Sequence, residues 1–358
     1  METLEPVVNP TSDLASARTA FCRFLETVPK AARIVALHDS DADGVSAGVV
    51  WQRAMERLGY ENVVRAVPDR ERSAWTTGNR EAVRKLDPEC LFVLDLGSKS
   101  EPVLPDIPTC FVDHHRPEGC PPGATLISAY SWDPVPNTSW MLWDLFVGLV
   151  EIADLDWIAV IGTLSDLGDS APFSLIGEAR KKYTLKYLKE ATTLVNAARR
   201  ASSYAPETAA RALLSFADPR TMVNANTPDL ESLRAAREEV KLALAEAKKA
   251  APIFAGQVAL IRLHSACQVH PLIAQIWRSR LPKYVVIAAN DRYLPDRVNF
   301  SARSAPGINV LELLRSVSIP AGEGNFGHGH DQASGGSLEP HRWNALLTAL
   351  GFDASVTI

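Results

Sequence analysis

The chain has 358 residues, enough for two or three domains with full cores, and 46% of them are hydrophobic against 22% charged. With 20 Gly and 24 Pro, that balance excludes collagen-like, disordered and coiled-coil proteins. The net charge of −5 is uneven: residues 1–175 carry 14 basic against 26 acidic side chains, 176–250 carry 14 against 9, and 251–358 carry 9 against 7. Bulk charge in the front half therefore offers no broad surface for nonspecific nucleic-acid adhesion, although a local basic path remains compatible with it. Five cysteines without a CxxC pair argue against a disulfide framework or a zinc ribbon and for a reducing, cytoplasmic setting. Glu2 and Glu5 do not open a secretory leader, and Asp144 interrupts LWDLFVGLV, the most apolar stretch, so no membrane span is expected.

In chain order, three short apolar runs read as buried parallel strands: RIVALH (33–38), CLFVLDL (90–96) and TCFVDHH (109–115). Between the first two lies a helical stretch, VSAGVVWQRAMERLGY, with Gly59 as its stop signal. This alternation predicts an α/β domain with a parallel sheet over 1–175. Residues 176–250 read as a helical connector. There DLESLRAAREEVKLALAEAKKA spaces Leu230, Leu233, Val240 and Leu244 along one face, bracketed by Pro228 and Pro252. A second, smaller α/β domain is expected over 251–358, from QVALIRL, YVVIAAN, VNFSAR and the Gly-rich GEGNFGHGHDQASGG.

The chemistry collects where the apolar runs end, the usual place for ligands in a parallel sheet. The first run leads into Asp39-Ser40-Asp41-Ala42-Asp43-Gly44. Three carboxylates at alternate positions raise one another's pKa, and a hard divalent cation relieves them. An EF-hand loop is excluded, because its twelfth position would be Val50 where a bidentate Glu is needed, and because a strand precedes it instead of a helix. The second run ends in Asp95, the third in Asp113-His114-His115, and the run Trp157–Thr163 leads to Asp166, with Asp169 nearby. Asp41, Asp43, Asp95, His114 and Asp166 form a carboxylate–imidazole set that suits two manganese or magnesium ions better than thiolate-bound zinc.

DSDADG, FVLDLG, VDHHRPEGCPP and GTLSDLGD resemble, in order, the four motifs of the DHH phosphoesterase superfamily. FSARSAPGINVLELL resembles the Ser-x-Arg-Ser segment of the DHH-associated domain, and GHGHDQASGG its GGGH-x-x-A-x-G motif, so the likeness runs from 33 to 338. The DADG form, Pro117 and Pro121 behind the DHH, and Val195-Asn196-Ala197-Ala198-Arg199, which is similar to an N-A-A-G-R stretch, lean toward RecJ-like exonucleases. Two positions depart from the pattern: His328 replaces a Gly of GGGH, and Arg199 stands where the stretch has Gly. The length also leaves no room for the OB-fold appended in full-length bacterial RecJ.

The resemblance implies that Asp39, Asp41, Asp43, Asp95, His114 and Asp166 hold the two metals and that His115 contacts the scissile phosphate or moves a proton. It further implies that Arg303 and His330 grip phosphate, with a Gly-rich loop at Gly327, His328 and Gly329 approaching it. The implied activity is manganese-dependent release of 5′-mononucleotides from single-stranded DNA or short oligonucleotides, 5′ to 3′. Two alternatives stay open: a phosphoesterase for small nucleotides (nanoRNA, 3′-phosphoadenosine 5′-phosphate, a cyclic-dinucleotide product), and an inactive replication scaffold.

Overall fold

A computed structural model describes residues 11–321 and 326–357, with the side chains of 328–330 outside that description. The first part of the chain folds as α1 (Leu14–Glu26), β1 (Arg33–His38), α2 (Ala42–Arg57), β2 (Asn62–Ala66), α3 (Thr77–Lys85), β3 (Cys90–Leu94), β4 (Thr109–Asp113) and β5 (Thr125–Ser128). The helices α4 (Thr138–Val147), α5 (Asp156–Asp166), α6 (Ser174–Tyr183), α7 (Leu185–Arg200), α8 (Pro206–Ser215), α9 (Pro219–Asn224) and α10 (Pro228–Ala247) follow. The rest is β6 (Ile253–Ala255), β7 (Val258–Leu263), α11 (His270–Arg280), β8 (Val285–Asn290), β9 (Val298–Arg303), α12 (Val310–Arg315), β10 (Phe326–His330), β11 (Ala333–Leu338) and α13 (Pro340–Ala349).

The first five strands make one parallel sheet in the order β2-β1-β3-β4-β5. Its central strands are buried on both faces, because successive side chains alternate sides. Ile34 and Ala36 face a core with Phe21, Trp51, Phe92 and Trp157, while Val35 and Leu37 face another with Val83, Leu91 and Phe111. This explains why β1, β3 and β4 read as unbroken apolar runs. The edge strand β2 is only half-buried and carries polar residues, so its sequence lacks that signature. Gly59 follows the end of α2 with φ +82°, the left-handed geometry a glycine stop supplies.

The chain divides into two compact units, one of residues 1–199 and 205–234 and the other of 200–204 and 235–358, so the boundary falls inside α10. The stretch 176–250 is thus shared out between the units. The reason is burial: Leu188, Leu194, Val195, Ala209, Leu213 and Leu230 belong to the core of the first unit. The second unit is a mixed six-stranded sheet, β10-β11-β9-β8-β7-β6, with β7 and β8 its parallel pair. Val258, Ile287, Phe300, Trp343 and Leu346 are among its core residues.

Candidate metal centre

The carboxyl ends of β1, β3 and β4 are neighbours in the sheet, and each delivers acids or imidazoles to one place. Asp41 caps α2: its Oδ1 accepts from the backbone N–H groups of Asp43 and Gly44, both at 3.1 Å. Gly44 is required there, since a Cβ would lie 2.5 Å from the Asp39 carbonyl oxygen. Asp43 is fully buried in the first turn of α2 and sits on the N-terminus of α4. Its carboxylate accepts from Thr138 N and Ser139 N at 2.8 Å and from Asn137 Nδ2 at 2.5 Å, donors that a helix start offers to an anion. Gly162 in α5 lets that carboxylate in, because a Cβ there would meet Asp43 Oδ1 at 2.6 Å and overlap Ser139 Oγ.

Asp95 leaves β3 in the left-handed region, φ +63°, a strained conformation for a residue with a side chain. Its Oδ1 accepts from Thr138 Oγ1 at 2.9 Å and lies 3.3 Å from His114 Nε2. The same nitrogen is 3.5 Å from Oδ2 of Asp166, at the end of α5. His115 donates through Nδ1 to Asp113 Oδ1 at 2.8 Å, and Asp113 Oδ2 accepts from Gly97 N at 2.6 Å. Asp113 therefore fixes the orientation of His115.

Burial pushes the carboxyls of Asp43, Asp95 and Asp166 up, Asp166 to about 8, and repulsion among the neighbouring acids adds to it. Burial alone would also raise Asp41 and Asp113. Arg199 and Arg72 hold Asp41 below the carboxylate range instead, and His115 does so for Asp113. Burial lowers His115, but Asp113 outweighs it and carries the imidazole up to about 9.

Among the described residues, three sets place their donor atoms within 4.8 Å of one another: Asp95, His114 and His115; Asp43, His114 and Asp166; Asp39, Asp41 and Asp95. His114 Nε2 is buried without a hydrogen-bond partner, aimed between two carboxylates that accept no proton from it. An orphaned imidazole nitrogen among crowded acids is what a divalent cation would satisfy, and the oxygen–nitrogen donor set fits manganese or magnesium.

All six expected metal-site residues thus converge in the first unit. Asp169 does not join them; it is exposed and paired with Lys189 at 2.7 Å. In the second unit, Arg303 ends β9 and donates from one guanidinium nitrogen to the carbonyls of Ala302 and Ser334, both at 3.0 Å. The expected Gly-rich loop is instead the edge strand β10, which carries Gly327, His328, Gly329 and His330 and pairs with β11 because their backbones alternate as strands do. The side chains of His328 and His330 lie outside the described residues. Sequence reasoning missed Arg72, the orienting role of Asp113, and the Asn137–Ser139 cradle. The cradle had a signal, since Asn-Thr-Ser before an apolar run is a helix start.

No protein-family model and no curated protein matches the chain. Solved structures do. A manganese-bound RecJ exonuclease superposes with TM-score 0.63 at 17% identity, covering 93% of this chain and 93% of that one. The chain has the fold of RecJ and of DHH-domain proteins. RecJ from Thermus thermophilus in complex with Mn2+ gives TM-score 0.63 at 18% identity over 93% of this chain, which spans only 54% of that RecJ. The DHH domain of PF0399, described as a member of the s1p family of ribosomal proteins, gives 0.67 at 12% identity over 96% of this chain and 92% of that one. Among the described residues no helix is long and apolar enough to cross a membrane.

Proposed function

We propose that the chain is a divalent-metal-dependent phosphodiesterase that releases 5′-mononucleotides from single-stranded DNA or short oligonucleotides, 5′ to 3′, with manganese as its preferred ion. The observation that carries this reading is the orphaned His114 Nε2 between the buried Asp95 and the more exposed Asp166, within a crowd of acids that a cation would relieve. Asp43, Asp95, His114 and Asp166 would hold the ion, with Asp39 and Asp41 beside them. A bound divalent ion supplies Lewis acidity toward a phosphate oxygen and makes water more acidic. His115, held by Asp113 and 3.8 Å from Asp95, would contact the scissile phosphate or carry a proton. Arg303 and His330 are proposed as phosphate ligands on the likeness of their motifs. None of the five cysteines forms a disulfide, which agrees with a cytoplasmic setting.

A second reading, a small-nucleotide phosphoesterase, is favoured by one observation, the excess of acidic over basic residues in 1–175. The experiment offers the protein and manganese a 5′-labelled DNA 20-mer, an RNA trimer and a cyclic dinucleotide in parallel. Mononucleotides released from the 20-mer support the exonuclease. Turnover of the short substrates alone supports the second reading. No turnover of any of them, with manganese bound, points to a scaffold. Arg303→Ala should lower kcat/KM by roughly ten- to a hundredfold with manganese affinity unchanged, as loss of one charge-assisted phosphate contact does. Lost manganese binding would instead overturn the assignment of Arg303 as a phosphate ligand.

A further inference from the structure

Two arginines sit in the Asp39–Asp41 end of the cluster. Arg72, in the loop after β2 with φ +54°, grips Asp39 with both arms of its guanidinium: Nε donates to Oδ1 at 2.9 Å and the terminal nitrogen to Oδ2. The same terminal nitrogen reaches Asp41 Oδ2 at 3.2 Å. Arg199, in the last turn of α7, brings a terminal nitrogen to 3.5 Å from that same oxygen. Its side chain is only 9% exposed, and its Nε and remaining terminal nitrogen have no hydrogen-bond partner. The helix is anchored for this. One turn earlier, Asn196 Oδ1 accepts from Ala42 N at 3.3 Å and its Nδ2 donates to Ser165 Oγ at 2.9 Å.

The remaining acceptors at this end are taken too. Asp39 Oδ1 also accepts from Ser40 N at 2.6 Å, and Asp41 Oδ1 serves the two backbone donors of α2. No Lys or Arg of the described residues pairs with Asp43, Asp95 or Asp166, and His114 Nε2 has no partner there. One end of the cluster therefore arrives with its cations covalently attached, and the other arrives without any. A guanidinium cannot shed its proton, so two of them bring the charge of one divalent ion and repel another.

We propose that Arg72 and Arg199 stand in place of a second divalent cation, so that this chain holds a single tightly bound ion, at Asp43, Asp95, His114 and Asp166. The inference rests on the metal-centre reading above and deepens it.

The test is manganese stoichiometry on the full chain, by equilibrium dialysis with metal analysis and by electron paramagnetic resonance. The expected result is one equivalent with an isolated Mn(II) spectrum. In Arg72→Ala/Arg199→Gly, a second equivalent and a spin-coupled pair should appear. Two coupled ions in the wild type would overturn the proposal, as would a folded double variant that stays at one. Wild-type stoichiometry decides alone if the double variant does not fold. Absence of any bound ion would sink this inference together with the metal centre, whereas one bound ion without nucleotide release would count only against the proposed activity.

Discussion

Asp41 and Asp95 stand behind neighbouring strands of one sheet, both in the buried cluster, and burial pushes both carboxyls toward the neutral form. At Asp41 two guanidinium groups reverse that push, whereas at Asp95 the nearby Asp43 and Asp41 add to it. The same residue type is thus a settled ion pair in one place and, with no cation beside it, a carboxyl driven toward its neutral form in the other. Local sequence does not separate them; the company each keeps does. The carboxylates that lack a built-in cation are the ones that call for a metal.

The strongest way to break this comparison is to remove the charge at Asp95. Asp95 belongs to two of the three donor sets, so Asp95→Asn should abolish tight manganese binding and lower hydrolysis by roughly 10³-fold or more. Thermal stability should hold or rise, because crowded like charge is relieved. Near-normal turnover with manganese would show that Asp95 is not part of the centre.

Asp113→Asn probes the same end less severely. The substitution leaves His115 in place but removes the carboxylate that orients it, a loss that for such supporting partners is about 10–100-fold. In metal-free protein the His115 titration, at about 9 in the wild type, should move to lower pH by NMR. An unmoved titration would mean that another group sustains it.

Gly162→Ala sharpens the comparison through packing. Its Cβ would press on Asp43 Oδ1 and Ser139 Oγ, so overpacking should cost ~1–3 kcal/mol, read as a lowered Tm, with weaker manganese binding. Wild-type values for both would show that the cradle yields freely.

The effect at the arginine-bearing end is confined to acid pH and vanishes at neutral pH. His38 is buried and donates through Nδ1 to the Asp39 carbonyl at 2.7 Å, which leaves Nε2 to accept from Arg65 at 3.3 Å. Burial, with Arg65 adding to it, lowers its pKa to about 3 from the usual 6.5. The unfolded chain therefore takes up this proton first as pH falls. The stability contributed by the neutral imidazole is complete above about 6.5 and lost progressively toward about 3, at ~1.4 kcal/mol per pH unit. Urea midpoints at pH 7.5 and 4.5 should diverge less in His38→Gln than in the wild type. Equal divergence would mean that His38 is charged in the fold.

The buried strands were legible because both faces of β1, β3 and β4 are covered, which forces continuous apolar residues up to the polar ends that form the site. The six metal-site candidates were legible for the same reason, as acids and a histidine stranded at the ends of apolar runs. The half-buried β2 lacks that pattern, and the short edge strand β5 has only four residues to show it. Asn137–Ser139 lies far along the chain from Asp43, and Arg72 from Asp39, and neither pairing leaves a trace in local spacing. In the second unit the Gly-rich segment suggested a loop, because glycine's freedom hides a strand that only pairing with β11 defines.

By itself, the sequence determined the α/β character of both units and the acids that gather at the strand ends. Those features depend on periodicity and residue type, which are local. Only the tertiary structure decided which carboxylates meet a cation already built into the chain. Arg72 and Arg199 reach Asp41 from a loop and a helix about 30 and 160 residues away, and electrostatic partnership depends on distance in space.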